Sequence, residues 1–239
     1  MSNHAILTAE AHRDLRISTE RSAELGDEIM CCLTVPAEFR QVQNDYPIIF
    51  RLNAERDAFS AFALFGFENG ENLFLDGGRW EARYRPLAME IQPFLIGGSS
   101  SEQGEKQVHI DLTSKRIVSH ESGGEGTRLF DDQGRPSPYL EAMAEKLGEL
   151  DAGYLGARDF FATLMRLNLF EPLALDITLN DGSTYRFVGF HVLNEDRLRS
   201  LDSQAMAELH SKDYLLPIYM ALASLSNIAR LVDRKNGRL

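Results

Sequence analysis

The 239 residues include 36 Asp and Glu against 25 Lys and Arg, a formal net charge of −11. Repulsion of that sign disfavours phosphate backbones and anionic lipid headgroups, so no nucleic-acid partner and no membrane insertion are expected. With 44% hydrophobic and 26% charged residues, the composition is that of a globular chain, and one of this length buries roughly 70% of its unfolded surface without a disulfide or metal staple. The opening residues alternate apolar and charged side chains, and the longest apolar helical stretch, 215–225, is short and interrupted by serine. Neither reads as a secretory signal or a membrane span, which points to a soluble, cytoplasmic chain.

No repeat, linker or low-complexity tract divides the sequence, so 1–239 reads as a single domain. Its stretches 97–106 and 122–137, rich in glycine with serine or acidic residues, read as surface loops. In chain order, 29–35, 47–52 and 60–67 are dense in apolar, β-branched and aromatic residues and predict strands. The adjacent Cys31 and Cys32 fall in the first of these, where an apolar setting raises a thiol's pKa and makes two inert core side chains. A short helix is expected from Pro36, with Phe39, Val42 and Tyr46 spaced for one face. The loop 68–78 offers oxygen ligands from Glu68, Glu71, Asn72 and Asp76, but its spacing fits no defined calcium loop and it reads as a solvated turn. Residues 83–96 look extended, with a helical turn open at 87–91, and 107–112 predicts a strand.

Helix signals strengthen in the second half. Ser137 and Pro138 make a helix start, the serine oxygen capping a free amide and proline sitting where no amide is needed. Leu140, Met143, Leu147 and Leu150 then form one stripe. A second helix is expected over 158–169. Alternation over 173–179, the turn Asn180, Asp181 and Gly182, and the strand 184–193 predict an antiparallel hairpin. Helices are expected at 196–201, 203–210 and 215–232, the last apolar around most of its surface and therefore central. The whole reads as an α+β fold, mostly antiparallel sheet with helices concentrated in the C-terminal half.

The sequence has no phosphate-cradling loop with Lys, no Gly-x-Gly-x-x-Gly, no His-Glu-x-x-His and no Gly-x-Ser-x-Gly elbow. One catalytic constellation is open. His109 and Asp111 lie two apart on one strand face, His191 lies on the hairpin, and Arg199 follows eight residues later. In that order the first three match the ligand set of an iron and 2-oxoglutarate oxygenase, and the arginine its carboxylate anchor. The simpler reading has Val108, Ile110 and Leu112 facing a core, which makes His109 and Asp111 the polar side of an amphipathic strand, with no metal and no cofactor. His4, His12, His120 and His210 have no ligand spacing and read as surface or cap residues. The segment 79–86 gathers arginines with aromatics, and Trp80, Arg83, Tyr84 and Arg85 are the expected ligand-binding set, since such side chains hold peptides, sugars or carboxylates.

TERS at 19–22, YPIIFR at 46–51, ALFGFENGENLFL at 63–75 and RWEARYRP at 79–86 carry a family likeness. So do PFLIG at 93–97, LFDDQG at 129–134, GFHVLNEDRLRSL at 189–201 and LLPIYMALASL at 215–225. Through these stretches the chain resembles the bacterial SapC family over almost its whole length. The peptide-transporter permease of the same name is unrelated, and it needs membrane spans that are not read here. The resemblance brings no catalytic residues. It implies links to a paracrystalline surface layer and to loci encoding TonB-dependent receptors with halogenase-like or cupin-like enzymes. The expectation is a non-catalytic binding or accessory protein that recognises a peptide, protein or small polar ligand, linked to such an uptake or modification locus. An oxygenase using His109, Asp111 and His191, and a structural surface-layer component, are the alternatives. The oligomeric state is left open.

Overall fold

The structure, a computed structural model, describes residues 3–97, 106–118 and 126–239. His120 and parts of the two glycine-rich loops lie outside the described residues. The fold is α+β, and its sheets are built from antiparallel strand pairs. Two compact units emerge from the contacts. One comprises Met1–Glu28, Gly77–Trp80 and Leu87–Ala152, the other Ile29–Asp76, Glu81–Pro86 and Gly153–Leu239.

In the first unit the strand Gln107–Asp111 lies between His4–Ile6 and Phe94–Gly97, while Arg16–Ile17 lies between Ile117–Val118 and Thr127–Arg128. These short strands share a core of Ile17, Ile91, Phe94, Ile110, Leu129 and Phe130, and the helix that begins at Pro138 contributes Leu140, Met143 and Leu147 to it. The helix start follows the sequence: Ser137 Oγ accepts from Leu140 N at 3.3 Å and donates to the Arg128 carbonyl at 2.7 Å. Beside this core is a buried ionic cluster. The Asp27 carboxylate, with no solvent exposure, accepts from Arg116 Nη2 at 2.5 Å, Arg21 Nη1 at 3.3 Å and Ser22 N at 2.9 Å. Arg116 is itself buried and donates to the Glu20 carbonyl at 2.8 Å. The cluster ties the N-terminal segment to the turn before Ile117–Val118.

The second unit is built on a five-stranded sheet in the order Phe170–Pro172, Phe190–Leu193, Ile48–Leu52, Phe59–Leu64, Cys31–Thr34. Phe50 faces Phe39, Phe161 and Phe170 with ring centroids 5.1 to 6.5 Å away, an edge-on arrangement suited to aromatic quadrupoles. Cys32 is buried and Cys31 half-buried, both unpaired as thiols, and burial pushes both thiol pKa values up. The helix Leu215–Ser224 packs on this sheet, and Ser224 Oγ accepts from Ile48 N at 2.8 Å. The turn expected at Asn180 to Gly182 joins Asp176–Thr178 to Thr184–Arg186, and its left-handed residue is Gly182, at φ +84°.

Several boundaries differ from the sequence reading. The two helices expected at 137–150 and 158–169 are one, Pro138–Arg166. Its interior glycines each cost about 1 kcal/mol of helix propensity. Gly153 is needed nonetheless, because a Cβ there would stand 2.6 Å from a Val35 methyl. The strand expected over 184–193 divides at Gly189, φ +82°, so that Thr184–Arg186 closes the hairpin and Phe190–Leu193 joins the large sheet. The helix expected over 215–232 divides into Leu215–Ser224 and Asn227–Asn236. There Ser224 Oγ donates back to the Ala221 carbonyl at 2.6 Å, and Asn227 Nδ2 leaves the helix direction to reach the Gln43 and Tyr46 carbonyls. Taken together, Leu215–Asn236 is long and apolar enough to cross a bilayer by length and composition, which the 215–225 reading did not anticipate. In this fold its Ile218, Met220, Ala221 and Leu231 are buried in protein.

The loop at 68–78 is solvated at its two ends but buried between them. Asn72, Leu73 and Phe74 are buried, and Glu71 and Glu68 both accept from Lys235 of the last helix. Burial works against the Lys235 charge, but these hydrogen bonds outweigh it and raise the ammonium pKa.

Candidate functional site

A concavity lies in the second unit among three helices, Glu195–Arg199, Ser203–Ser211 and Leu215–Ser224. The first two are set by local capping. Asn194 Oδ1 accepts from Arg197 N at 2.6 Å, and Asp202 Oδ1 accepts from Ala205 N at 2.8 Å. Glu195 and Asp196 in the first turn and Arg199 in the last also match the helix dipole. The resulting cleft, about 620 Å³, has Leu198, Met206, Leu222 and Ala223 along its apolar walls, with Tyr219, Glu195 and Arg199 at its edge. Tyr219 and, one turn earlier, Leu216 are each 52% exposed, a large apolar surface in the first half of an apolar helix.

The Arg199 guanidinium meets Glu195 at 2.5 Å and Asp196 at 3.6 Å. All three are exposed, and an exposed ion pair is worth at most about 1 kcal/mol. Arg199 can therefore exchange these partners for a ligand carboxylate at little cost. The lining offers aliphatic walls, a phenol and two opposite charges.

The residues singled out in the sequence fall in both units. His109 and Asp111 are in the first, on Gln107–Asp111, and alternate with the buried Ile110 as an amphipathic strand requires. The His109 ring covers Gly97 on the neighbouring strand, where a Cβ would stand 1.9 Å from Nε2. Asp111 Oδ1 accepts from Thr113 Oγ1 at 2.7 Å and Thr113 N at 2.9 Å, and these bonds lower its pKa. His191 and Arg199 are in the second unit. The His191 ring meets Phe59 edge-on at 5.0 Å, its Nδ1 is buried without a hydrogen-bond partner, and burial followed by the Arg56 charge lowers its pKa. Among the described residues no three His, Cys, Asp or Glu side chains are grouped closely enough to hold a metal ion. His12, read as a surface or cap residue, is buried and caps locally, its Nδ1 accepting from Thr8 N at 3.1 Å.

Of the arginine and aromatic set, Trp80 is half-buried in the first unit, while Arg83, Tyr84 and Arg85 belong to the second. The 81–86 segment is irregular rather than a strand. Tyr84 is held at both ends: its hydroxyl donates to the buried Glu38 at 2.7 Å, and its carbonyl accepts from Tyr46 Oη at 2.5 Å. Arg83 N donates to Asp45 at 3.1 Å and its side chain is exposed. The cleft at 195–223 was missed because its walls read as ordinary amphipathic helices. The available signal was the surplus of apolar residues around 215–225.

The described chain is thus an α+β protein of antiparallel sheets with an apolar cleft edged by charge. Its sequence matches the SapC family model over residues 7–231, and the chain belongs to the SapC family. No curated protein and no solved structure gives a significant match.

Proposed function

We propose that this SapC-family member is a non-catalytic binding protein that takes an apolar peptide segment of a partner into the cleft lined by Leu198, Met206, Tyr219, Leu222 and Ala223. The observation that carries this reading is the exposure of Tyr219, which lines a concavity of about 620 Å³, together with that of Leu216 one turn earlier on the same helix. Half-exposed aromatic and leucine side chains around a cleft are costly to leave in water and are the usual anchors of peptide recognition. Arg199 and Glu195 at the edge would fix the orientation of an entering segment through its charged groups. Selection of peptides from a displayed library against the full chain tests the reading. Ala223→Arg, at an exposed position, fills the cleft without burying charge and should weaken the selected peptides at least tenfold, with Tyr219→Ala acting in the same direction. Peptides that bind both variants as tightly as the parent would remove the cleft from consideration.

A second reading keeps Arg83, Tyr84 and Arg85 of the second unit as a ligand-binding set. It is favoured by the Arg83 guanidinium, which is exposed and makes no ion pair among the described residues. Ligands of this set should lose affinity in Arg83→Ala and keep it in Ala223→Arg.

A further inference from the structure

The C-terminal residues of the second unit form another, smaller concavity. Arg234 and Arg238 reach back onto the 72–81 segment. The Arg234 guanidinium lies 4.6 Å from the Phe74 ring centroid and pairs with Glu81 at 3.1 Å. Arg238 donates to the carbonyls of Leu73 and Leu75 at 2.9 Å each and of Asn72 at 3.3 Å. Between them is a pocket of about 320 Å³ lined by Leu73, Asp76, Glu81, Arg234, Gly237 and Arg238. That volume is at the small end of ligand sites.

The pairing of its charges is informative. Arg234 and Glu81 neutralise one another. Arg238 has carbonyl partners alone, and the exposed Asp76 carboxylate has neither a hydrogen bond nor an ion pair among the described residues. A guanidinium and a carboxylate therefore line one small pocket without closing on each other, which places them beyond 4.0 Å. Here the three carbonyl bonds hold Arg238 in place, and its Nε and the rest of its Nη donors stay available to a carboxylate. A ligand with a single charge satisfies one wall and meets the like charge of the other. A small zwitterion satisfies both at once.

We propose that this pocket binds a free α-amino acid, its carboxylate on Arg238 and its ammonium on Asp76. The site is separate from the cleft, and it stands or falls independently of peptide binding there. The test is a titration of the isotope-labelled full chain, followed by backbone amide shifts. L-alanine is the probe, propionate is the same molecule without the amine, and ethylamine carries the amine without the carboxylate. L-alanine should give saturable shifts at Asp76, Gly237 and Arg238 at concentrations where propionate and ethylamine give none. Asp76→Asn is exposed and should leave shifts elsewhere unchanged while weakening L-alanine about tenfold, the loss of one charge-assisted hydrogen bond. Arg238→Gln should do the same from the other end, and Ala223→Arg should change nothing. Equal binding of L-alanine and propionate, full affinity in Asp76→Asn, or the absence of saturable shifts at these three amides would overturn the proposal.

Discussion

Asp27→Ala puts the buried ionic cluster to its sharpest test. The carboxylate is fully buried and accepts from Arg116, Arg21 and the Ser22 amide, while the Arg116 side chain is 1% exposed. Removing it leaves that guanidinium in a low-dielectric surround with no carboxylate at 2.5 Å. Taking one partner from a buried pair costs about 3–5 kcal/mol, a large part of the roughly 5–15 kcal/mol that stabilises a domain. Arg116→Met should cost less, because it removes the stranded charge, keeps much of the volume, and leaves Asp27 with Arg21 and the Ser22 amide. The double variant should then be more stable than the sum of the single losses implies, by roughly 0.5–3 kcal/mol. Urea melts followed by circular dichroism, with amide exchange over 19–28 to catch local opening, measure each term. Because the pair is dry, raising salt from about 0.1 to 1 M should not shrink the effect. If Asp27→Ala falls within about 1 kcal/mol of the parent, or the two losses simply add, the cluster does not stabilise the fold as argued.

Gly182→Val probes the hairpin turn. No atom lies within 4 Å of a Cβ built at this position, so the whole penalty comes from φ +84° and should be about 1–2 kcal/mol, with Gly182→Asn milder. An unchanged urea midpoint would mean that the turn is not needed in this form. His191 should make stability pH-dependent. Burial and Arg56 hold its pKa below the unfolded value of 6.5, so on acidification the unfolded chain takes up the proton first. Stability from this group is present above about pH 6.5 and falls as the pH drops below it. His191→Gln should lose less thermal stability than the parent between about pH 7.5 and 5.5, and an identical loss in both would assign the acid sensitivity elsewhere.

Much of the fold was legible because its signals are local. The Ser137 and Pro138 start, the Leu140, Met143, Leu147 stripe and the turn at Gly182 each depend on residues a few positions apart, and each stands in the structure. What was not legible depends on distant partners. Nothing near Gly153 announces that a Val35 methyl occupies the space of its missing side chain. Nothing in the loop at 68–78 announces that Lys235, more than 150 residues away, collects its Glu68 and Glu71. The His109 and Asp111 pair shows the opposite hazard, since two residues of the right type and spacing are accounted for by strand alternation, Gly97 and Thr113.

The cleft lies where a sound local reading and the tertiary outcome part. A helix apolar around most of its surface is expected to be enclosed, and Ile218 and Ala221 of Leu215–Ser224 are indeed buried. The opposite side, with Leu216 and Tyr219, is left half in water. Covering it within the chain would have required a longer element than the five-residue helix Glu195–Arg199, whose Leu198 reaches one wall of the cleft. Half in water, these two side chains realise only part of the roughly 1.5–3 kcal/mol that full burial of such a residue contributes, so polar residues in their place would cost the fold little. A sequence that keeps leucine and tyrosine there departs from the otherwise consistent patterning of its helices, and such departures concentrate where a surface has work to do. On that argument, replacing Leu216 and Tyr219 together by Gln should leave the folded chain nearly as stable while abolishing peptide capture. A clear loss of stability in that variant would instead make the exposed face part of the fold.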